Sequence, residues 1–407
     1  MTLLPTPHPG TEVDWVREHL GDLTAEPRSS VAASPAFRGG QTAADQALAA
    51  FDVTGYAAAR NEVWPEVRRG ASRLSPYIRH GLLTLARVWQ HVGTGPARDA
   101  AKLRDELLWQ EYARHLYARL GPVLATPLRH LPAASGSSAG DPWSRQMACL
   151  DLAVTELERD GWLVNQTRMW LASDWSVRHG WDWRDGERHF FTHLLDGSRA
   201  ANRLGWQWTV GTGTGRAYGF SRQQVRRRAP GLCEQCPLAQ ACPIDSWPDA
   251  EPGPPVQPAA LLRHDPDPER TAGPRAAWST AAPQQVWLTA ESLGDDDPAL
   301  VAHPDLAVVF VFDAPLLMRL RLSGKRLVFL AETLADLGLR RRVQVHRGDP
   351  CEVLAGRALA TTFAPVPGWR RRARRLQPVA VHPFPWLVRP AEGPLTSYSA
   401  WRRHLAA

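Results

Sequence analysis

Seven of the eighteen tryptophans fall between Gly161 and Thr212, among polar and charged residues and not along an apolar stripe. A helical core is built more readily from Leu, Ile and Val, so this density has another purpose. Indole rings stack on flat ligands and bases, and they can lose one electron. The same stretch holds Asn165 and Arg168, three apart and therefore on one helix face, then Asp196, a partner for Arg168 across two helices, and the neutral amide of Asn202. This set suits a planar, polar ligand.

A second group is sulfur. Cys233, Cys236 and Cys242 follow a C-x2-C-x5-C spacing, which leaves one thiol over if they pair as disulfides. A zinc site wants four ligands, and the upstream Cys149 is the available fourth. A third group is Ser72-Arg73-Leu74-Ser75-Pro76, hydroxyls at a helix start, which reads either as an ordinary cap or as a phosphate seat.

These residues need elements to carry them. Gly39 and Gly40 precede a helix with Ala44, Leu48 and Phe51, and Leu103 to Tyr117 forms a helix with Glu106 and Trp109 three apart. Met147 to Asp160 is amphipathic, with Leu150, Ala153, Val154 and Leu157 at helical spacing, and Gly161 ends it. From Val286 the composition changes. Val286–Leu288, Leu306–Phe312, Val343–Val345 and Val379–Val381 are short apolar runs with helical segments between them, the pattern of buried parallel strands. The expected organisation is an irregular segment over 1–30, a mostly helical domain over 31–244, an exposed Pro-rich linker over 245–283, and a doubly wound α/β domain over 284–407. The net charge of +7 favours a polyanionic partner. No apolar run spans a membrane and no secretory signal is visible, so the expectation is a cytoplasmic, monomeric protein.

The chain resembles the DNA photolyase and cryptochrome family. The resemblance rests on Gly161-Trp162, Asn165 and Arg168-Met169; on Asp182–Arg184 with Gly186–Arg188; and on Asp196-Gly197, Ala200–Asn202 and Gly205–Trp208 followed by Thr212–Thr214. It implies FAD held by Tyr56, Ser72, Arg73, Leu74, Ser75, Trp162, Asn165, Arg168, Asp196 and Asn202. It implies Trp206 and then Trp183 as electron donors to the excited flavin, with Trp143, Trp175, Trp181 or a metal cluster at the end of the route. It also implies a flipped cyclobutane pyrimidine dimer in UV-damaged DNA, hydrogen-bonded by Glu106 and Asn165, stacked on Trp109 and Trp208, and packed by Met169. The His that (6-4) repair wants near Val164 and Asn165 is absent. The alternatives are a cryptochrome-type photoreceptor and a flavin or Fe–S electron-transfer protein.

Met147–Leu150 and the three downstream cysteines are similar to the iron–sulfur branch of the family, which implies a [4Fe-4S] cluster on Cys149, Cys233, Cys236 and Cys242. The short final spacing leaves zinc as the alternative. Asp295–Leu300, Val309–Asp313 and His346–Pro350 resemble the family's antenna domain. The domain order is therefore reversed, as in a circular permutation. Three departures stand out: Ser198-Arg199 where an Asp is common, Gln110 where an Arg is common, and a short antenna domain lacking one first-strand Arg, which leaves an antenna chromophore open.

Overall fold

The computed structural model describes residues 2–132, 136–137, 143–247 and 251–406. The helices that bear on function are α1 (Glu12–Leu20), α2 (Ala97–Leu120), α3 (Ala148–Asp160), α4 (Asn165–Ser173), α5 (Trp183–His193), α6 (Ala201–Thr209), α7 (Gly324–Gly338) and α8 (Tyr398–Ala406). The longest is α2, about 36 Å from its 24 residues. Gly161 closes α3 with φ of 69°, a left-handed conformation that favours glycine.

Seven strands form one sheet: β1 (Thr2–Leu4), β2 (Trp278–Ser279), β3 (Gln285–Leu288), β4 (Ala307–Asp313), β5 (Val343–Gly348), β6 (Leu359–Thr362) and β7 (Ala380–His382). Their order is β1-β5-β4-β3-β6-β7-β2. The five inner strands are all parallel, and both outer strands are antiparallel. Among the parallel strands the first in sequence, β3, is central and the later ones add on both sides of it, which places a crevice at the carboxyl ends of the strands. In β4 the residues Ala307–Phe312 are all buried, as a strand covered on both faces must be.

Two expectations are corrected. The sequence predicts an irregular segment over 1–30 apart from a short helical pattern over Val13–Leu20; that helix is α1, whose Trp15 packs its ring 5.7 Å from Phe312, but β1 also pairs with β5. Three residues of strand are too few to show alternation, so their pairing was invisible locally. The stretch 245–283 is not simply an exposed linker either. Leu262, Asp265, Thr271 and Ala272 are buried, and Trp278–Ser279 extends the sheet beside β7. Two of its acids are held from afar, Asp265 by Arg119 and Glu269 by Arg389.

Helical and sheet regions share one apolar cluster, in which Leu74, Tyr77, Leu82 and Trp162 meet Val286, Phe310, Phe329 and Val345. Polar ties cross the same boundary. Gly39 donates to Glu332 at 2.7 Å, and the buried His80 ring reaches Ala290 O at 2.8 Å and Leu195 O at 3.2 Å. No helix among the described residues is long and apolar enough to cross a membrane.

Candidate active site

A cavity of about 1070 Å³ opens between the helical region and the carboxyl ends of the strands. One wall is an ionic network. Arg168 forks onto Asp196 with bonds of 3.2 and 2.7 Å, the bidentate geometry that makes such pairs strong. Ser75 donates to Asp196 at 2.5 Å and accepts from the indole of Trp162 at 3.1 Å. The Ser75 hydroxyl is thus committed to bracing the carboxylate. Leu74 is turned into the core, 1% exposed, and does not line the cavity, so only its backbone can serve a ligand. Tyr56, Ser72 and Arg73 do line it. Burial, and then Glu106, raise the Tyr56 phenol above its ordinary value.

Asn202 is buried and projects from α6. Its amide nitrogen donates to Glu187 O at 3.0 Å and Glu187 Oε1 at 3.1 Å. The other carboxylate oxygen of Glu187 receives Arg199 at 2.5 Å, with Arg203 at 3.7 Å. Arg326 of α7 enters from the opposite domain: it donates to Phe191 O and, at 3.1 Å, to Gly197 O. Burial, ahead of its cationic neighbour Arg79, drags the Arg326 guanidinium down to about 9.

The cavity is fitted for a large polar ligand. Trp206 and Arg203 line it, and the nitrogens Trp206 Nε1 and Arg203 Nε are buried with no partner among the described residues. Gly205, inside α6, also lines it, and an added Cβ there would meet open space. A glycine inside a helix costs about 1 kcal/mol against alanine, so the room it leaves is the compensating gain. Gly186 serves packing instead: a Cβ would lie 2.1 Å from the Trp206 ring.

The same cavity is lined by the residues expected to meet a flipped pyrimidine dimer. Glu106 is held by Lys102 at 3.0 Å and Arg60 at 3.2 Å. Trp109 lines the cavity and stacks on Tyr398, 4.0 Å away at 13°. Asn165, Met169 and Trp208 share this lining, and Trp208 is 42% exposed. Of the basic run, Arg222 pairs with Asp245, Arg228 with Glu62 and Arg226, at 3.9 Å, with Glu234; Arg226 and Arg227 are exposed.

Trp206 is 2% exposed and meets Phe190 edge-on at 5.0 Å. From Phe190, ring contacts continue to Trp143 at 5.9 Å, then Trp175 at 5.3 Å and Trp181 at 5.0 Å. Trp183 is buried in the same apolar cluster but does not line the cavity. The turn holding Trp175, Asp174–Arg178, is a π-helix, a distortion common at functional positions.

The four cysteines Cys149, Cys233, Cys236 and Cys242 line one small cavity of about 20 Å³. Cys149 and Cys233 are buried. Burial, and then the three other thiols, raise the Cys149 thiol above its ordinary value. Among the described residues, no group of three or more His, Cys, Asp or Glu is placed to hold a metal ion.

Several site residues were not anticipated. Arg60, Lys102 and Glu187 lie at or near quoted motifs, and a pairing rule for buried charges would have singled them out. Arg326 and Tyr398 come from the far end of the chain and carry no local signal.

Residues 103–229 match the family model described as the FAD binding domain of DNA photolyase. The deoxyribodipyrimidine photo-lyase of Vibrio cholerae is 34% identical over 160 residues, covering 36% of this chain and 34% of its own. That of Escherichia coli K12 is 36% identical over 124 residues, covering 27% and 25%. A bacterial class III photolyase from Agrobacterium tumefaciens aligns over 44% of this chain and 40% of its own, at 27% identity and a TM-score of 0.39. The chain thus matches about a third of the length of the first of these relatives. Residues 103–229 are thus similar to the FAD-binding domain of DNA photolyase, and Arg168, Asp196, Asn202, Gly205, Trp206 and Trp208, all within that stretch, line the cavity.

Proposed function

We propose that this chain is a light-driven DNA repair enzyme that holds FAD in the central cavity and splits cyclobutane pyrimidine dimers. One observation carries the reading: Glu106, Trp109, Asn165, Met169 and Trp208 line the same cavity as Arg168, Asp196 and Asn202. When bound, reduced FAD supplies one electron to the lesion under light and takes it back after cleavage. The protein's own work is binding, orientation and exclusion of water. Arg168, fixed by Asp196, supplies a positive charge to the ring system. Trp109 and Trp208 offer stacking surfaces for a base extruded from the duplex, and Glu106 and Asn165 are placed to hydrogen-bond it. The exposed Arg226 and Arg227 are available to phosphates.

Electron supply to the cavity would run from Trp206, with Trp183 and the Trp143–Trp175–Trp181 contacts as the routes outward. The four cysteines are best suited to a [4Fe-4S] cluster. The support for this reading is that all four thiols line one small cavity; zinc is the alternative occupant. Thiolates are the usual ligands of such clusters. The flavin-binding region precedes the α/β region in this chain, and we read this order as a permutation of the family's arrangement. UV-damaged DNA is the proposed partner.

The test is restoration of intact thymines in a dimer-containing oligonucleotide, with reduced flavin, in light and in the dark. Repair confined to the light supports the proposal. Bound, photoreducible flavin without repair points to light sensing. Iron and acid-labile sulfide in the purified protein, both lost in Cys236→Ser, support the cluster; zinc in their place overturns it.

A further inference from the structure

Of the 48 lysines and arginines in the chain, only Lys102 and Lys325 are lysine. Lys102 stands one turn before Glu106 on α2, an i,i+4 spacing that brings the two side chains together. Its Nζ lies 3.0 Å from Glu106 Oε1. Arg60 donates to the same oxygen at 3.2 Å, through Nε. The Nη1 of Arg60 already donates to Ala57 O at 2.5 Å, so this guanidinium does not lay its fork across the carboxylate. Both cations thus hold Oε1, and among the described residues Oε2 takes no hydrogen bond. Glu106 lines the cavity, whereas Lys102 does not.

The type of cation decides what remains open. An ammonium is a point charge that satisfies one oxygen, while a guanidinium offers parallel N–H groups that claim both oxygens of a carboxylate. This chain uses arginine almost everywhere, yet an arginine at 102 would fork onto Glu106 and close it. We propose that Lys102 is a positioning residue: with Arg60 it anchors Oε1 and leaves Oε2 free to accept the ring N–H of a flipped pyrimidine. An ionised carboxylate only accepts hydrogen bonds, and an extruded thymine carries one ring N–H on its pairing edge. Lys102 acts through Glu106 and touches neither base nor phosphate. The inference rests on the proposed repair reading and deepens it.

The test is the dissociation constant of the flavin-loaded protein for a dimer-containing duplex, measured in the dark, with undamaged duplex as the reference. Lys102→Arg preserves the charge but should weaken dimer binding about tenfold, the worth of one hydrogen bond to a charged group. Lys102→Met should weaken it only about twofold, the worth of one i,i+4 ion pair, because Arg60 still holds Oε1. A role for charge alone predicts the reverse order. Lys102→Arg that binds the dimer as tightly as the unaltered protein therefore overturns the proposal.

Both effects should vanish in a Glu106→Ala background, where no carboxylate is left to close. Losses that persist there identify Lys102 as a phosphate contact and overturn the proposal as well. A phosphate contact has a second mark: removing it lowers the slope of log affinity against log salt by about one, whereas Lys102→Met should leave that slope unchanged. Denaturation midpoints separate closure of Glu106 from misfolding. Should Lys102→Arg not fold, Lys102→Met in the two backgrounds decides between the roles. Failure of the unaltered protein to prefer dimer-containing over undamaged duplex would instead remove the repair reading, and it appears before any substitution is made.

Discussion

The two faces of α2 do different work. The face carrying Glu106, Trp109, Gln110 and Arg114 lines the cavity. Its polar groups are held loosely enough to exchange partners, as with the half-exposed Glu106 between Lys102 and Arg60. The other face is a dry clamp on the end of the chain. Glu111 accepts from Leu387 N at 2.6 Å and Val388 N at 3.0 Å. His115 meets Val388 O at 2.7 Å, and Tyr112 donates to Leu395 O at 2.9 Å. Arg119 donates to Ala391 O at 2.6 Å and Gly393 O at 2.8 Å and pairs with buried Asp265 at 3.2 Å. The first face spends polar groups on a ligand. The second spends them on holding the helix still, and substitutions should separate the two roles.

The largest effect is expected at Arg119. Arg119→Met leaves Asp265 buried without its cation and frees the carbonyls of Leu261, Ala391 and Gly393, a change of about 3–5 kcal/mol in stability. Chemical denaturation should show the loss, while flavin bound to the remaining folded protein keeps its spectrum. A substitution here that reduced repair without lowering stability would erase the distinction between the faces.

Glu106→Ala should do the reverse. Losing one hydrogen bond from a charged group costs about 1.5–3 kcal/mol, so light-dependent repair should fall roughly tenfold to a hundredfold. Flavin content and denaturation midpoint should stay where they are, since the side chain is partly solvated and Lys102 and Arg60 can turn to water.

This division also explains what could be read in advance. The cavity face carries a Glu-Leu-x-Trp spacing within four residues, so a local pattern displays it. The fork of Arg168 on Asp196 was legible for a similar reason, because both belong to short motifs in one stretch. The clamp face was not legible. Glu111, His115 and Arg119 find their partners well over a hundred positions away, and three polar residues on a long helix look like a solvated side. Strand β1 stayed hidden because its three residues acquire meaning only beside β5. The Pro-rich stretch around Asp265 looked like a free linker because its anchor, Arg119, lies in α2. Local chemistry announces ligand sites, whereas contacts that close a fold are visible only once the chain has returned.

The clamp is also a pH-sensitive structure. Burial, ahead of the nearby Arg119 and Arg114, holds His115 down to about 3, against about 6.5 in an unfolded chain. Below the unfolded value, unfolded chains bind the proton that the fold excludes. Stability is therefore full above about pH 6.5 and declines as pH falls towards 3, at about 1.4 kcal/mol per unit for this group. Between pH 7 and pH 5 the contribution is about 2 kcal/mol. His115→Gln should lose less stability over that interval than the unaltered protein by about this amount. Equal slopes would mean that His115 is solvated, and the clamp face would then be no drier than the cavity face.

Tyr398 joins the two faces and gives the smallest and sharpest test. It belongs to α8, at the end of the chain, yet it stacks on Trp109 and its hydroxyl donates to Asp105 at 2.5 Å. An aromatic pair of this kind contributes about 0.5–1.5 kcal/mol beyond its buried area. Tyr398→Ala should therefore lose about 1 kcal/mol of pairing on top of the burial of its ring. The more telling readout is how the loss divides in repair. If Tyr398 keeps the Trp109 ring flat against the incoming base, binding of dimer-containing DNA should weaken several-fold while the yield per absorbed photon in the saturated complex is preserved. Tyr398→Phe keeps the stack and drops only the bond to Asp105, so it should behave almost as the unaltered protein does. Equal damage from both substitutions would show that α8 is fastened by the hydroxyl alone, and that Trp109 needs no support from the far end of the chain.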